Sequence, residues 1–177
     1  MKFSSFEIIV RTLNEAAVRY LVVGGVAVNA HGYGRNTYDV DMVLALEPEN
    51  IARAFVSLRE VGYEPILPVT ADQFSNQELR ERWNREKGMI VLQMCGDLHR
   101  ETPLDIFVRE PFDFATEYAE AVWLELATGV KVPLIRLEAL LEMKRSSGRP
   151  KDLADLDELS LLYGRLSSYD QQHGRAD

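Results

Sequence analysis

The sequence predicts an α/β (α+β) fold, a mixed β-sheet flanked by helices and followed by a helical C-terminal segment, and three observations predict it. The opening residues change from helical to strand-like hydrophobic spacing and back around a Gly-Gly pair. The middle of the chain holds short β-rich apolar runs bounded by Gly, Pro and polar residues. The last third returns to helical spacing.

Ser4 and Glu7 have the spacing of a capping box, with Phe3 and Ile8 placed as its hydrophobic staple. Phe6, Ile9, Val10, Leu13, Ala17 and Tyr20 then recur at helical spacing. This amphipathic helix leads into an apolar strand, Tyr20 to Val23, bounded by Gly24-Gly25. The small-residue stretch Val26 to His31 suits a short buried helix ended by Gly32. After a loop from Gly32 to Tyr38, Asp39 to Leu44 reads as a buried strand. Pro48 to Val61 reads as a helix with Ile51, Phe55 and Leu58 inward, closed by Gly62.

Between Tyr63 and Lys87 the pattern is weaker, with a short strand over Glu64 to Leu67 and a charged surface helix over Asn76 to Glu86. Met89 to Met94 and Pro103 to Val108 are β-rich runs joined across Gly96 to Arg100 as a hairpin. Ala121 to Ala127 and Lys131 to Leu134 form a second pair around Thr128-Gly129. Arg136 to Arg145 is helical, Ser146 to Arg149 breaks it, and Pro150 opens a last helix reaching about Tyr163. The expected organisation is one domain over residues 1–166 and a polar, frayed tail over 167–177.

With 177 residues, 46% of them hydrophobic, the chain is long enough for one real core. It lacks the ~20 consecutive apolar residues of a membrane helix, and its start lacks a secretory signal, so a cytoplasmic protein with no membrane partner is expected. The single cysteine, Cys95, excludes an internal disulfide and a Cys-based zinc cluster. A net charge of −8 argues against a general polyanion binder but leaves room for a local basic groove.

The densest chemical signal is Leu21-Val22-Val23-Gly24-Gly25 followed by Asp39-Val40-Asp41 at the start of a strand. Strand residues two apart share a face, which places the Asp39 and Asp41 Cα atoms roughly 6.6 Å apart at ~3.3 Å per residue. Such a pair suits a hard divalent cation bound through oxygen, magnesium above all, or a two-metal site for phosphoryl displacement. Asp105 lies in the apolar run Pro103 to Val108, where an acid is costly unless paired, hydrogen-bonded or bound to metal. If its strand neighbours that of Asp41, the three acids meet at one end of the sheet, and Asp105 is placed to accept a hydroxyl proton. Gly24 and Gly25, between strand and helix, allow close approach of backbone to a phosphate, although a plain tight turn gives the same signature.

The run Gly24-Gly25, Arg35-x-Thr37-x-Asp39-Val40-Asp41, with Asp105 on a later strand, resembles the polymerase-β-like nucleotidyltransferase superfamily, especially its small AbiEii-type and toxin-like branch. Leu140-Leu141-x-Met143-Lys144 with Gly148-Arg149-x-Lys151-Asp152-x-x-Asp155 resembles that branch's C-terminal helical motif. The resemblance spans Tyr20 to Leu159. It implies a minimal nucleotidyltransferase fold that uses magnesium or manganese and a nucleoside triphosphate to place a nucleoside monophosphate on an acceptor hydroxyl. The acceptor is the 3′ end of an RNA such as tRNA, a protein side chain or a small molecule, and a toxin role would bring an antitoxin partner. The resemblance also implies Asp39 and Asp41 as metal ligands, Asp105 as the third carboxylate and Gly24-Gly25 as the phosphate-facing turn. One departure is Gly24-Gly25 itself, where many members have Gly-Ser. The alternative is a nucleotide-binding or partner-binding module of the same fold without turnover.

Several charged residues admit two readings. Lys144 lies on the apolar stripe Leu137, Leu140, Leu141, so it either binds triphosphate or snorkels off the last turn. Arg35 is a phosphate contact or a solvated loop arginine, and Thr37 a local turn hydroxyl. Arg149 and Lys151, at a helix start, await an anion or form a surface turn. Asp152 and Asp155 suit the first turns of a helix, with Lys151 and Asp155 as an ordinary i,i+4 pair. The three histidines show no ligand spacing.

Overall fold

The computed structural model describes residues 1–173, with side chains described as far as Gly164. Helix α1 (Phe3–Glu15) packs Phe6, Ile9, Val10 and Leu13 inward. Strand β1 (Tyr20–Val22) runs into helix α2 (Gly24–Ala30), and β2 (Val40–Leu44) is followed by α3 (Pro48–Glu60). Strand β3 (Glu64–Pro65), helices α4 (Ala71–Ser75) and α5 (Gln77–Lys87), and strands β4 (Val91–Cys95) and β5 (Leu104–Phe107) come next. Helix α6 (Phe114–Ala119), strands β6 (Val122–Glu125) and β7 (Lys131–Leu134), and helices α7 (Leu137–Ser147) and α8 (Pro150–His173) complete the order.

One seven-stranded mixed sheet results, in the order β3-β4-β5-β2-β1-β7-β6. The central pairs are β2 with β5 and β1 with β7, both parallel, while β1 with β2 and β4 with β5 are antiparallel. The expected mixed sheet flanked by helices is therefore present.

Period-two alternation divides the sheet's side chains between two apolar layers. Tyr20, Val22, Met42, Leu44, Leu104 and Ile106 join the core under α1 and α3. Leu21, Val23, Val43 and Ala45 join a second core with Ala27 and Val28 of α2, Leu137 and Leu140 of α7 and Leu159 of α8. The parity of β2 and β5 puts Asp41 and Asp105 on this second face, in the layer that holds α2, α7 and α8.

Local chemistry sets most element ends. Pro48 opens α3, Asn76 caps α5 by accepting from the Leu79 amide, and Gly88 and Gly148 close α5 and α7 in left-handed conformations. Several expectations are corrected. The Ser4–Glu7 capping box does not form, because α1 starts at Phe3 and Ser4 is already helical, while Ser5 turns inward to the buried His99 ring, 2.9 Å from Nδ1. The Phe3 and Ile8 staple is likewise absent, both residues being exposed. The β4–β5 connection is longer than a tight hairpin, with a turn of 3₁₀ helix over Asp97–His99. Helices α4 and α6 were not expected from the pattern; each is short and held by a local cap, Thr70 with Gln73 and Asp113 with Thr116. Asp39 precedes β2 rather than starting it, and α8 runs past Tyr163 to His173.

The β1 and β2 ends are tied by the buried Asn50 side chain. It accepts from the Arg19 amide at 2.8 Å and donates to the carbonyls of Arg19 (3.0 Å) and Ala45 (2.9 Å). Asn50→Ala strips partners from these backbone groups and should cost about 2–3 kcal/mol of stability, measured by urea unfolding.

Candidate functional site

The pairing of β2 with β5 sets Asp41 directly opposite Asp105, and the pairing of β4 with β5 sets Gln93 opposite Asp105. A cross-strand row Asp41–Asp105–Gln93 therefore lies on the second face, all three residues partly buried. Gln93 Nε2 donates to Asp105 Oδ1 at 2.8 Å and orients that carboxylate. Its position follows from parity on β4, where Leu92 and Met94 point into the first core.

Two glycines make room for this row. Gly24 has φ +60°, and a Cβ there would lie 1.8 Å from Asp41 Oδ2. A Cβ on Gly25 would lie 2.3 Å from Thr37 Oγ1 and 3.2 Å from an Arg35 terminal nitrogen. These glycines form the first turn of α2 and press bare backbone against Asp41, Thr37 and Arg35. The Gly25 amide also donates to the Asp41 carboxylate. Thr37 Oγ1 donates to Asp39 Oδ1 at 3.2 Å, so this hydroxyl positions the first acid of the motif.

Burial pushes the Asp41 carboxyl up to about 6, and the like charges of Asp39 and Asp105 push the same way. Burial also raises Asp105; its bond from Gln93 opposes that, and Asp39 adds repulsion. The three acids thus share one electrostatic neighbourhood. Among the described residues, no three His, Cys, Asp or Glu side chains are already gathered into a set that could hold a metal ion. The donor chemistry nevertheless fits magnesium or manganese, ions often bound by one or two carboxylates with waters and substrate phosphates completing the shell. The repulsion between these register-matched carboxylates would be relieved by a nearby cation.

Beside this row lies a buried ion network on α7 and α8. Arg35 donates through Nε and Nη2 to the two oxygens of Asp155 at 2.6 and 2.8 Å. Lys144 Nζ lies 2.6 Å from Asp152 Oδ1 and 2.7 Å from Asp155 Oδ2. Ser147 and Arg149 both donate to Asp152 Oδ2 at 2.6 Å. Burial alone would raise both carboxyls, but Lys144, Ser147 and Arg149 bring Asp152 down to about 2, and Arg35 with Lys144 holds Asp155 below its ordinary value. Lys144 is buried rather than snorkelling and is close enough to favour the charged form of Asp41. Asp155 pairs with Arg35 and Lys144 rather than with Lys151. Spacing alone could not reveal this network, because its members are up to 120 residues apart.

No family model matches the sequence, and no curated protein matches it significantly. Solved structures do match. The lincosamide antibiotic adenylyltransferase LnuA with lincomycin bound superposes with a TM-score of 0.57 at 15% identity, over 90% of this chain and 97% of that one. The antibiotic-resistance factor ANT(2'')-Ia, solved in complex with adenylyl-2''-tobramycin, gives 0.51 at 13%, over 94% and 97%. A candidate nucleotidyltransferase from Thermotoga maritima gives 0.54 at 13%, over 94% and 92%. The fold is that of the nucleotidyltransferases. Within this fold, Asp39, Asp41, Asp105, Gly24, Gly25, Arg35 and Lys144 all lie on the α2/α7/α8 side of the sheet or its loops.

Two measurements probe the site's strain. Gly24→Ala must adopt positive φ and displace Asp41, so it should cost at least about 1–2 kcal/mol. Gly34→Ala, where an added Cβ meets nothing within 4 Å, should stay within about 0.5 kcal/mol. Urea midpoints compare them. The raised pKa of Asp41 means that its folded form binds a proton which its unfolded form has lost between pH 4 and 6, so ionisation costs stability as pH rises through that window. In metal-free buffer at pH 7.5, Asp41→Asn should therefore be more stable than the parent by roughly 1–3 kcal/mol, the gap closing by about pH 4.

Proposed function

We propose that the protein is a metal-dependent nucleotidyltransferase that moves a nucleoside monophosphate from a nucleoside triphosphate to an acceptor hydroxyl. The observation that carries this reading is the register of Asp41 opposite Asp105 on adjacent parallel strands, against a glycine turn whose missing side chains leave room for the Asp41 carboxylate. Asp39, Asp41 and Asp105 would hold magnesium or manganese, which neutralises charge on the attacking and leaving oxygens when bound. Asp105, oriented by Gln93 and raised in pKa, accepts the proton of the acceptor hydroxyl as that oxygen bonds to the α-phosphorus and pyrophosphate departs. The bare backbone at Gly24-Gly25 would face the triphosphate beside the carboxylates, with Arg35 and Lys144, each paired with an aspartate of α8, forming the edge.

A small-molecule hydroxyl is the acceptor class best supported. One matching structure is a lincosamide antibiotic adenylyltransferase, another is an antibiotic-resistance factor solved with adenylyl-2''-tobramycin, and a net charge of −8 opposes a polyanionic RNA. A toxin acting on RNA or protein, held by an antitoxin, is the competing reading. Among the described residues no helix is long and apolar enough to cross a membrane.

Incubation with magnesium and each labelled triphosphate, against small-molecule extract, total RNA and total protein, separates these readings. The expected result is label in the small-molecule fraction, with Asp41→Asn and Asp105→Asn each lowering transfer at least about 100-fold. Label on RNA or protein favours the toxin reading. Tight nucleotide binding without transfer to any fraction favours the non-catalytic module, and full activity in either variant rejects the assignment of these carboxylates.

A further inference from the structure

The loop from Gly32 to Asp39 carries Arg35, Thr37 and Asp39 but contains no regular secondary structure. Its placement therefore depends on side-chain bonds. At one end Asn29 bonds the Arg35 backbone in both directions, its Oδ1 accepting from the amide and its Nδ2 donating to the carbonyl, each at 2.9 Å. At the centre the Arg35 guanidinium lies between two partners: Gly25 of α2, close enough that a Cβ would crowd it, and Asp155 of α8. Arg35 Nη1 also donates to the Asn36 carbonyl at 3.1 Å, fixing the loop's direction just before Thr37. Thr37 then touches Gly25 and bonds Asp39.

Both Asp155 oxygens are used, one by Arg35 and the other by Arg35 and Lys144, and its side chain is 1% exposed. A planar two-point pair fixes the angle of the guanidinium as well as its distance, which a lysine in place of Arg35 would not reproduce. Asp155 lies in neither the carboxylate row nor the glycine turn. Its bonds nevertheless lead through Arg35 to the first turn of α2, which the guanidinium approaches at Gly25, and along the loop from Arg35 through Asn36 and Thr37 to Asp39.

Resting on the nucleotidyl-transfer reading above, we infer that Asp155 is a positioning residue for the nucleotide site: from α8 it holds Arg35, and through Arg35 it holds the Thr37–Asp39 stretch against Gly25. Lys144 stays paired with Asp152 when Asp155 is neutralised, so Asp155→Asn removes the Arg35 clamp while leaving the α7–α8 pair in place.

Three variants test this: Asp155→Asn, Arg35→Gln, and Glu117→Gln in the separate Arg136–Glu117 pair. Two readouts are taken from each. Amide hydrogen exchange without nucleotide should rise roughly tenfold or more over residues 33–39 in Asp155→Asn and in Arg35→Gln, with the β1–β2 amides unchanged. Titration with the four ribonucleoside triphosphates and magnesium should show a dissociation constant roughly tenfold weaker in both, and unchanged in Glu117→Gln. If Asp155→Asn does not fold, Arg35→Gln carries the test, since Asp155 then keeps Lys144. Loop exchange equal to the parent's overturns the clamp. Raised exchange with unaltered nucleotide affinity overturns the positioning role alone, whereas a parent that binds none of the triphosphates overturns the nucleotidyl-transfer reading itself.

Discussion

The structure depends on one pairing, the parallel register of β2 and β5. Had either strand slipped by one residue, its acid would turn into the apolar layer beneath α1 and α3, Asp41 against Leu104 and Ile106 or Asp105 against Met42 and Leu44. Burying a carboxylate there without a partner is prohibitive, so the hydrophobic pattern that fills the first core also enforces the polar row on the opposite face. Core packing and site chemistry are two results of the same alternation.

The row imposes a cost that its surroundings answer locally. Asp41 and Asp105 repel each other and Asp39, and burial raises both of the strand acids. Gln93 and the Gly25 amide each supply a hydrogen bond, and Lys144 adds a favourable field. The α7–α8 network has the opposite character: its acids are satisfied by several cationic and hydroxyl donors and sit below their ordinary pKa. A repelling group of acids thus adjoins a saturated ion network, so negative charge that lacks a matched partner sits beside charge that is fully paired.

Much of this was legible in the sequence because it depends on local periodicity. The strand before Gly24, the helix after it, the strand that carries Asp41 and the apolar run around Asp105 all follow from spacing of two and of about 3.6 residues. What spacing could not show was partnership at a distance. Lys144 gives one helical stripe whether it snorkels or meets Asp152 and Asp155. Arg35 gives one loop signature whether solvated or clamped. Gln93 carries no signal beyond parity. The misplaced cap at Ser4 has a similar cause, since the motif spacing was correct but a tertiary partner, His99, drew Ser5 inward and let the helix begin earlier. Helices α4 and α6 are too short for periodicity to declare them, and only their caps could have done so.

The Arg35–Asp155 bond joins residues 120 apart in the chain. Closing so long a loop is slow compared with pairing neighbouring strands, and it requires α8 to exist first. As the chain emerges during synthesis, Asp39 and the strands that carry Asp41 and Asp105 are available well before the residue that clamps the adjacent loop. The carboxylates are thus assembled early, and the order around them arrives last. α8 therefore supplies both Asp155, which pairs with the loop arginine, and Leu159, which closes the second core, so the order of that loop and of that core depends on the last helix described.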